Sequence, residues 1–177
     1  APSLSFQTPG AQQTREAPNN LEVEQALLGA ILVNNSAFYR VSDFLKPEHF
    51  YEPLHRRIYE IAGDTIRMDK IANTITLKTH LPSDVKVGDL TVAQYLARLA
   101  AEAVTIINAE DYGRTIYDLA LRRQLIEIGE DIVNTAYDAP IDLPPSEQIE
   151  DTERKLFALA ETGRYEGGFQ TFENAVS

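Results

Sequence analysis

The chain has 177 residues, 44% of them hydrophobic, and 16 Lys and Arg stand against 27 Asp and Glu for a formal net charge of −11. That length supports one domain with a real core, or a compact head plus an extension. The absence of cysteine excludes disulfides, thiolate metal sites and thiol nucleophiles and fits a reducing compartment. The acidic balance is the wrong sign for gripping a phosphate backbone.

Residues 1–18 are polar, rich in Gln, Ser, Thr and Pro, and without periodicity, which predicts a disordered tail. Asn19-Asn-Leu-Glu22 has the spacing of a capping box. Leu21, Gln25, Leu28 and Leu32 then recur at helical spacing beside Val23, Leu27 and Ile31. This first helix, ending near Val33, is apolar around much of its girth and should sit at the centre of the core. Ser36 is placed to cap a short helix carrying Phe38, Val41, Phe44 and Leu45, which Pro47 breaks. A third helix carries Leu54, Ile58 and Ile61, flanked by Tyr51 and Tyr59. Thr74 to Leu81 fits a short helix, although the β-branched run Ile71 to Thr76 fits an extended segment as well. Pro82-Ser83-Asp84 and Gly88-Asp89 mark turns. Helix resumes over Thr91 to Ala103, with Val92, Tyr95, Leu96 and Leu99 in register.

Asn108 to Tyr137 contains no proline and predicts a helix of roughly 45 Å. Its apolar residues form two stripes. Tyr112, Ile116, Leu119, Ile126, Val133 and Tyr137 lie within about 50° of one direction. Tyr117, Leu121, Leu125, Ile128, Ile132 and Ala136 lie on the opposite side. Pro140, Pro144 and Pro145 force a turn. Ser146 then caps a shorter helix to about Glu161, whose main apolar side carries Ile149, Leu156, Leu159 and Ala160. The two make an αα-hairpin in which the short helix covers one stripe. The other is covered by the head or, as a helix this long suggests, by another subunit. The candidate interface residues are therefore Tyr117, Leu121, Leu125, Ile128, Ile132, Tyr112, Ile116, Leu119, Ile126 and Val133. Gly163, Gly167 and Gly168 predict a flexible joint, and Thr171 the cap of a further helix that stops at Ser177.

No phosphate-binding Gly-x-x-x-x-Gly-Lys-Ser/Thr loop, Gly-x-Gly-x-x-Gly or Gly-x-Ser-x-Gly occurs. Glu52-Pro-Leu-His55 has the Glu-x-x-His spacing of di-iron bundles, but His49 and His80 lack the matching second acid. A hydrogen-bonded, partly buried histidine is the simpler reading. The acids Glu147, Glu150, Asp151 and Glu153 suit a solvated helix N-terminus better than a cation site. Arg122-Arg123 fits an anion or an acidic surface, or intrahelical pairing with Glu127 and Glu130. No catalytic constellation, cofactor site or metal site emerges.

Two segments carry a resemblance. Pro18-Asn-Asn-Leu-Glu-Val-Glu-Gln-Ala-Leu-Leu-Gly-Ala-Ile-Leu32 resembles the opening helix of DnaB-type replicative DNA helicases, and His49-Phe-Tyr-Glu-Pro-Leu-His-Arg-Arg-Ile-Tyr59 resembles the third-helix motif of their N-terminal domain. Tyr95-Leu96, Asn108-Ala-Glu-Asp-Tyr112 and Leu121-Arg-Arg-Gln-Leu-Ile126 are similar to later helices in the expected order, so the likeness spans roughly Pro18 to Glu161. Met68 to Asp89 is only loosely similar. The resemblance implies an all-α chain: a tail over 1–18, a compact helical head over 19–104, a long helical hairpin over 105–162, and a joint with the start of a truncated linker helix over 163–177. It implies pairing of hairpins into the collar of a hexamer, docking of a DnaG-type primase and a helicase loader, and ATP and Mg only in a missing motor domain. A free-standing helical adaptor is the competing reading. No apolar run reaches the roughly 18 residues that span a bilayer, and Ala1 to Asn20 lacks the apolar block of a secretory signal. A cytoplasmic protein with protein partners, no membrane and little direct DNA binding is expected.

Overall fold

The structure, a computed structural model, describes residues 15–103 and 108–175, with the backbone alone over 163–175. The expected disordered tail lies outside the described residues over 1–14, as does the boundary between head and hairpin at 104–107. Arg15 to Asn20 is irregular, and α1 follows at Leu21–Val33. Its cap is Asn20, whose side chain accepts from Val23 N, so the capping box expected at Asn19 and Glu22 does not form. Asn19 instead donates to Ala17 O. Leu27 through Leu32 are all buried, and α1 packs against three later helices, which gives it the central place its girth of apolar residues demands.

Helix α2 (Ser36–Tyr39) is shorter than expected. The chain leaves it in overlapping turns that still bury Val41, Phe44 and Leu45. Pro47–His49 forms one 3-10 turn. Helix α3 (Pro53–Arg67) starts on proline, whose missing N–H costs nothing at that position. It ends on Asp69 at φ 57, with Lys70 N donating to Thr65 O and Asp69 N to Ile66 O, the paired bonds of a Schellman stop.

The ambiguous stretch resolves as helix α4 (Thr74–Leu77), because Asn73 caps both Ile75 N and Thr76 N while Thr76 returns a bond to Asn73 N. A small antiparallel ribbon follows, β1 (Lys86–Val87) and β2 (Leu90–Thr91), turned at Gly88 with φ 60. Turn chemistry marked the bend at Gly88-Asp89, but two-residue strands are too short to show any alternation. Thr91 and Gln94 close a capping box on α5 (Val92–Ala101). Among the described residues the remaining elements are α6 (Ala109–Tyr137) and α7 (Pro145–Ala175). The joint expected at Gly163, Gly167 and Gly168 and the separate helix from Thr171 are both corrected, since α7 runs unbroken through them. Glycine weakens a helix by about 1 kcal/mol relative to alanine, but unlike proline it neither removes a donor nor clashes.

The fold is all-α apart from the ribbon. Its core is centred on α1, which packs against α3, α5 and the first half of α6, and the second half of α6 continues with α7 as the hairpin.

Candidate protein interface

Glu24 is an acid on the buried face of α1, one turn before Leu27 and Leu28, and it is 2% exposed. Its carboxylate accepts from Tyr51 N at 2.8 Å, Glu52 N at 3.4 Å and His55 Nδ1 at 2.8 Å. His55 Nε2 lies 2.6 Å from Tyr95 Oη, which accepts from Gln25 Nε2 at 3.2 Å. The consistent assignment has His55 donating from Nδ1 and accepting from the tyrosine hydroxyl. Burial pushes the Tyr95 phenol up, which keeps that proton in place. The network ties α1, α3 and α5 together. Glu52 caps α3 by accepting from Leu54 N, so the Glu-x-x-His spacing is a helix start and a core histidine. Among the described residues no group of three or more His, Asp and Glu is placed to hold a metal.

His49 is also buried, accepts from Lys46 N through Nδ1 at 2.8 Å and meets Tyr117 edge-on. Its pKa is lowered from 6.5, chiefly by burial. Protonation would also remove the acceptor that Lys46 N uses. As pH falls through 6.5 the unfolded chain takes up a proton that the folded chain resists, so stability is lost on the acid side. His49→Asn, which keeps a carbonyl acceptor, is expected to flatten the dependence by up to about 1.4 kcal/mol per pH unit. Urea unfolding at pH 7.5 and pH 5.5 checks this, and parallel losses in parent and variant would refute it.

Arg123 joins hairpin to head. Its guanidinium donates to Pro18 O at 2.6 Å and His49 O at 2.7 Å and lies over the Tyr51 ring. The anion site and the pairing with Glu127 or Glu130 considered for Arg123 give way to this backbone clamp, while Arg122 is exposed. Two isolated backbone carbonyls leave no mark in a sequence.

The ten candidate interface residues divide by position along α6 rather than by stripe. Ile116 and Tyr117, from opposite stripes, are both buried against the head, and Tyr112 and Leu121 pack on the same core. Leu119 is half-buried. These five are therefore satisfied mainly within the chain, which corrects the picture of one stripe wholly free. The head wraps the start of α6 because Gly113 lets α6 approach closely: a Cβ there would sit 2.5 Å from Val41 Cγ1. Ile128 is half-buried and lines the cleft facing α7, together with Ile132, Leu143 and Thr152.

Beyond the head, Leu125, Ile126, Ile132 and Val133 stay exposed, Leu125 at 49%. The side of α7 that meets α6 is more polar than the sequence suggests: Gln148 donates to Ile132 O, and Thr152 and Lys155 line the contact. Ile149 and Leu156, expected to cover α6, are exposed instead. Ile132, Ala136, Pro145 and Ile149 border a groove of about 300 Å³ between the helices. Leu125 lies one and two turns before Gly129 and Ile132 on the same side, so the hairpin displays an apolar face that the described residues leave exposed.

The head thus bears a clamped hairpin with an exposed apolar face, and comparison with known proteins gives the family. Residues 16–118 match the family model described as the DnaB-like helicase N-terminal domain. The chain belongs to that family. It is 44% identical over 155 residues to the replicative DNA helicase DnaB of Rickettsia typhi, covering 88% of this chain and 31% of the relative. The protein of the same name from Nostoc is 32% identical over 91% of this chain and 18% of its own length. The matched part of the chain spans about a third of the length of the Rickettsia relatives. Among solved structures, the N-terminal domain of DnaB helicase from Mycobacterium tuberculosis superposes with a TM-score of 0.72 at 26% identity, covering 81% of this chain and 99% of that one. A DnaB-like replicative helicase described with its interactions with primase matches at TM-score 0.60 and 22% identity, over 79% of this chain and 31% of that one, a likeness of fold.

Proposed function

We propose that this chain is the collar-forming, partner-docking part of a hexameric replicative DNA helicase, and that its hairpins pair face to face with those of a second copy. The observation that carries the reading is the apolar face of Leu125 and Ile132 with Ile149 and Leu156, displayed by a hairpin that Arg123 holds against the head. The relatives support the wider role: they are replicative helicases of which the matched part is about a third, and structural neighbours of the same fold are described with primase. ATP-driven unwinding belongs, in this reading, to the rest of the parent protein. The collar sets subunits in register and offers primase and loader a fixed platform. Among the described residues no helix is long and apolar enough to cross a membrane.

Self-pairing through this face is expected to strengthen with added salt, since Glu153 borders its groove, each copy carries a net charge of −11, and screening relieves the repulsion. Two variants separate pairing from packing. Leu125→Glu changes an outward side chain and is expected to keep its helicity while weakening association at least tenfold. Ile128→Glu places a charge in the cleft against α7 and is expected to lose hairpin helicity. Sedimentation velocity and circular dichroism on both variants check this, and association unchanged in Leu125→Glu would overturn the pairing face.

A further inference from the structure

The connection between α6 and α7 displays two large apolar side chains that neither the head nor the hairpin uses. Ile141 is 108% exposed and Tyr137 is 85% exposed, the highest values for large hydrophobics among the described residues. The turn that presents Ile141 is built. Leu143 N donates to Pro140 O at 3.0 Å, so Ile141 and Asp142 occupy its two central positions. Leu143 turns inward beside Ile128 and Ile132, and Pro140, Pro144 and Pro145 stiffen the segment. Turn centres favour Gly, Asn, Asp and Ser, so an isoleucine there is not selected by turn chemistry. The backbone at both positions is held in advance, by the turn at Ile141 and by α6 at Tyr137, so docking orders only the side chains, and tyrosine is a frequent anchor in interfaces.

Charge names the partner. Residues 124–153 contain nine carboxylates and no lysine or arginine. Asp138 and Asp142 flank the two apolar groups and make no ion pair among the described residues. A nucleic acid or an anionic membrane is repelled by this end, and so is the same end of a second copy.

We propose that the hairpin end is a docking point for a basic amphipathic helix of another protein, whose apolar face covers Tyr137 and Ile141 while its lysines and arginines meet Asp138 and Asp142. The site does not depend on the pairing of hairpin faces, and its salt dependence has the opposite sign: docking weakens as salt rises.

The test uses the full chain and two synthetic helical peptides with the same leucine face, one with lysines and one with glutamates on the polar face. Fluorescence anisotropy is expected to show binding of the lysine peptide alone, weakened by added salt. Affinity is expected to fall about tenfold or more both in Tyr137→Ser/Ile141→Ser and in Asp138→Asn/Asp142→Asn, with circular dichroism unchanged. Equal binding of both peptides, or of the lysine peptide to parent and variants alike, would overturn the proposal. So would loss of helicity in the serine variant, which would make these side chains structural. Loss of self-association in that variant, with the salt response of hairpin pairing, would make a second copy the occupant and overturn it too.

Discussion

Replacing Glu24 with alanine is expected to lower the unfolding free energy by about 3–5 kcal/mol, the usual cost of removing one partner from a buried polar pair. The carboxylate is the common acceptor for Tyr51 N, Glu52 N and His55, at 1% exposure for the histidine, and nothing else in the head stands ready to replace it. Without the carboxylate the buried His55 Nδ1 loses its acceptor and bears the desolvation penalty, with Tyr51 N and Glu52 N losing theirs at part-buried positions. Glu24→Gln keeps one carbonyl acceptor but turns an N–H2 toward donors, and is expected to fall between parent and alanine. Urea unfolding followed by circular dichroism ranks the three. An alanine variant within 1 kcal/mol of the parent would show that the network contributes little.

Gly29→Ala is expected to destabilise by about 2–3 kcal/mol, even though alanine is the better helix former. Gly29 sits where α1 crosses α5, and a Cβ there would lie 2.3 Å from the backbone carbonyl oxygen of Leu99, an atom that cannot rotate aside. The two helices must separate, loosening Leu28, Leu32 and Leu96. Gly129→Ala is the matched control. It is also helical, nothing lies within 4 Å of its Cβ position, and it is expected to stabilise by about 0.5–1 kcal/mol. Thermal unfolding of both variants should move in opposite directions, and two stabilised variants would contradict the close crossing.

These two positions show what the sequence made legible. The helical spacing of Leu27, Leu28, Ile31 and Leu32, of Ile58 and Ile61, and of Tyr95, Leu96 and Leu99 marks the core because burial repeats every turn, and all are buried. Glu24 lies on that same face, but its partners are Tyr51, Glu52 and His55 at the start of α3, and no local pattern joins residues 27 to 31 positions apart. Arg123 is hidden for a similar reason, since its partners are backbone carbonyls that any residue supplies.

The candidate interface was legible as a helix apolar on opposite sides, and family resemblance pointed the same way. The division of that helix into a head-packed half and a displayed half was not. Periodicity reports direction around the axis, whereas Ile116 and Ile126 share a direction and differ in position along it, one buried and the other 43% exposed. The polar contact surface of α7 was missed because Gln148 reaches a backbone carbonyl of α6, leaving Ile149 and Leu156 free to face outward.

The claim that joins these features is that the outward face of the hairpin is covered by a second copy. Sedimentation equilibrium of the unaltered chain at tens of micromolar, at moderate salt, tests it most directly. The face predicts a mass at least twice the 19.8 kDa of one chain, rising with concentration. A well-folded species that stays at 19.8 kDa across that range would contradict it.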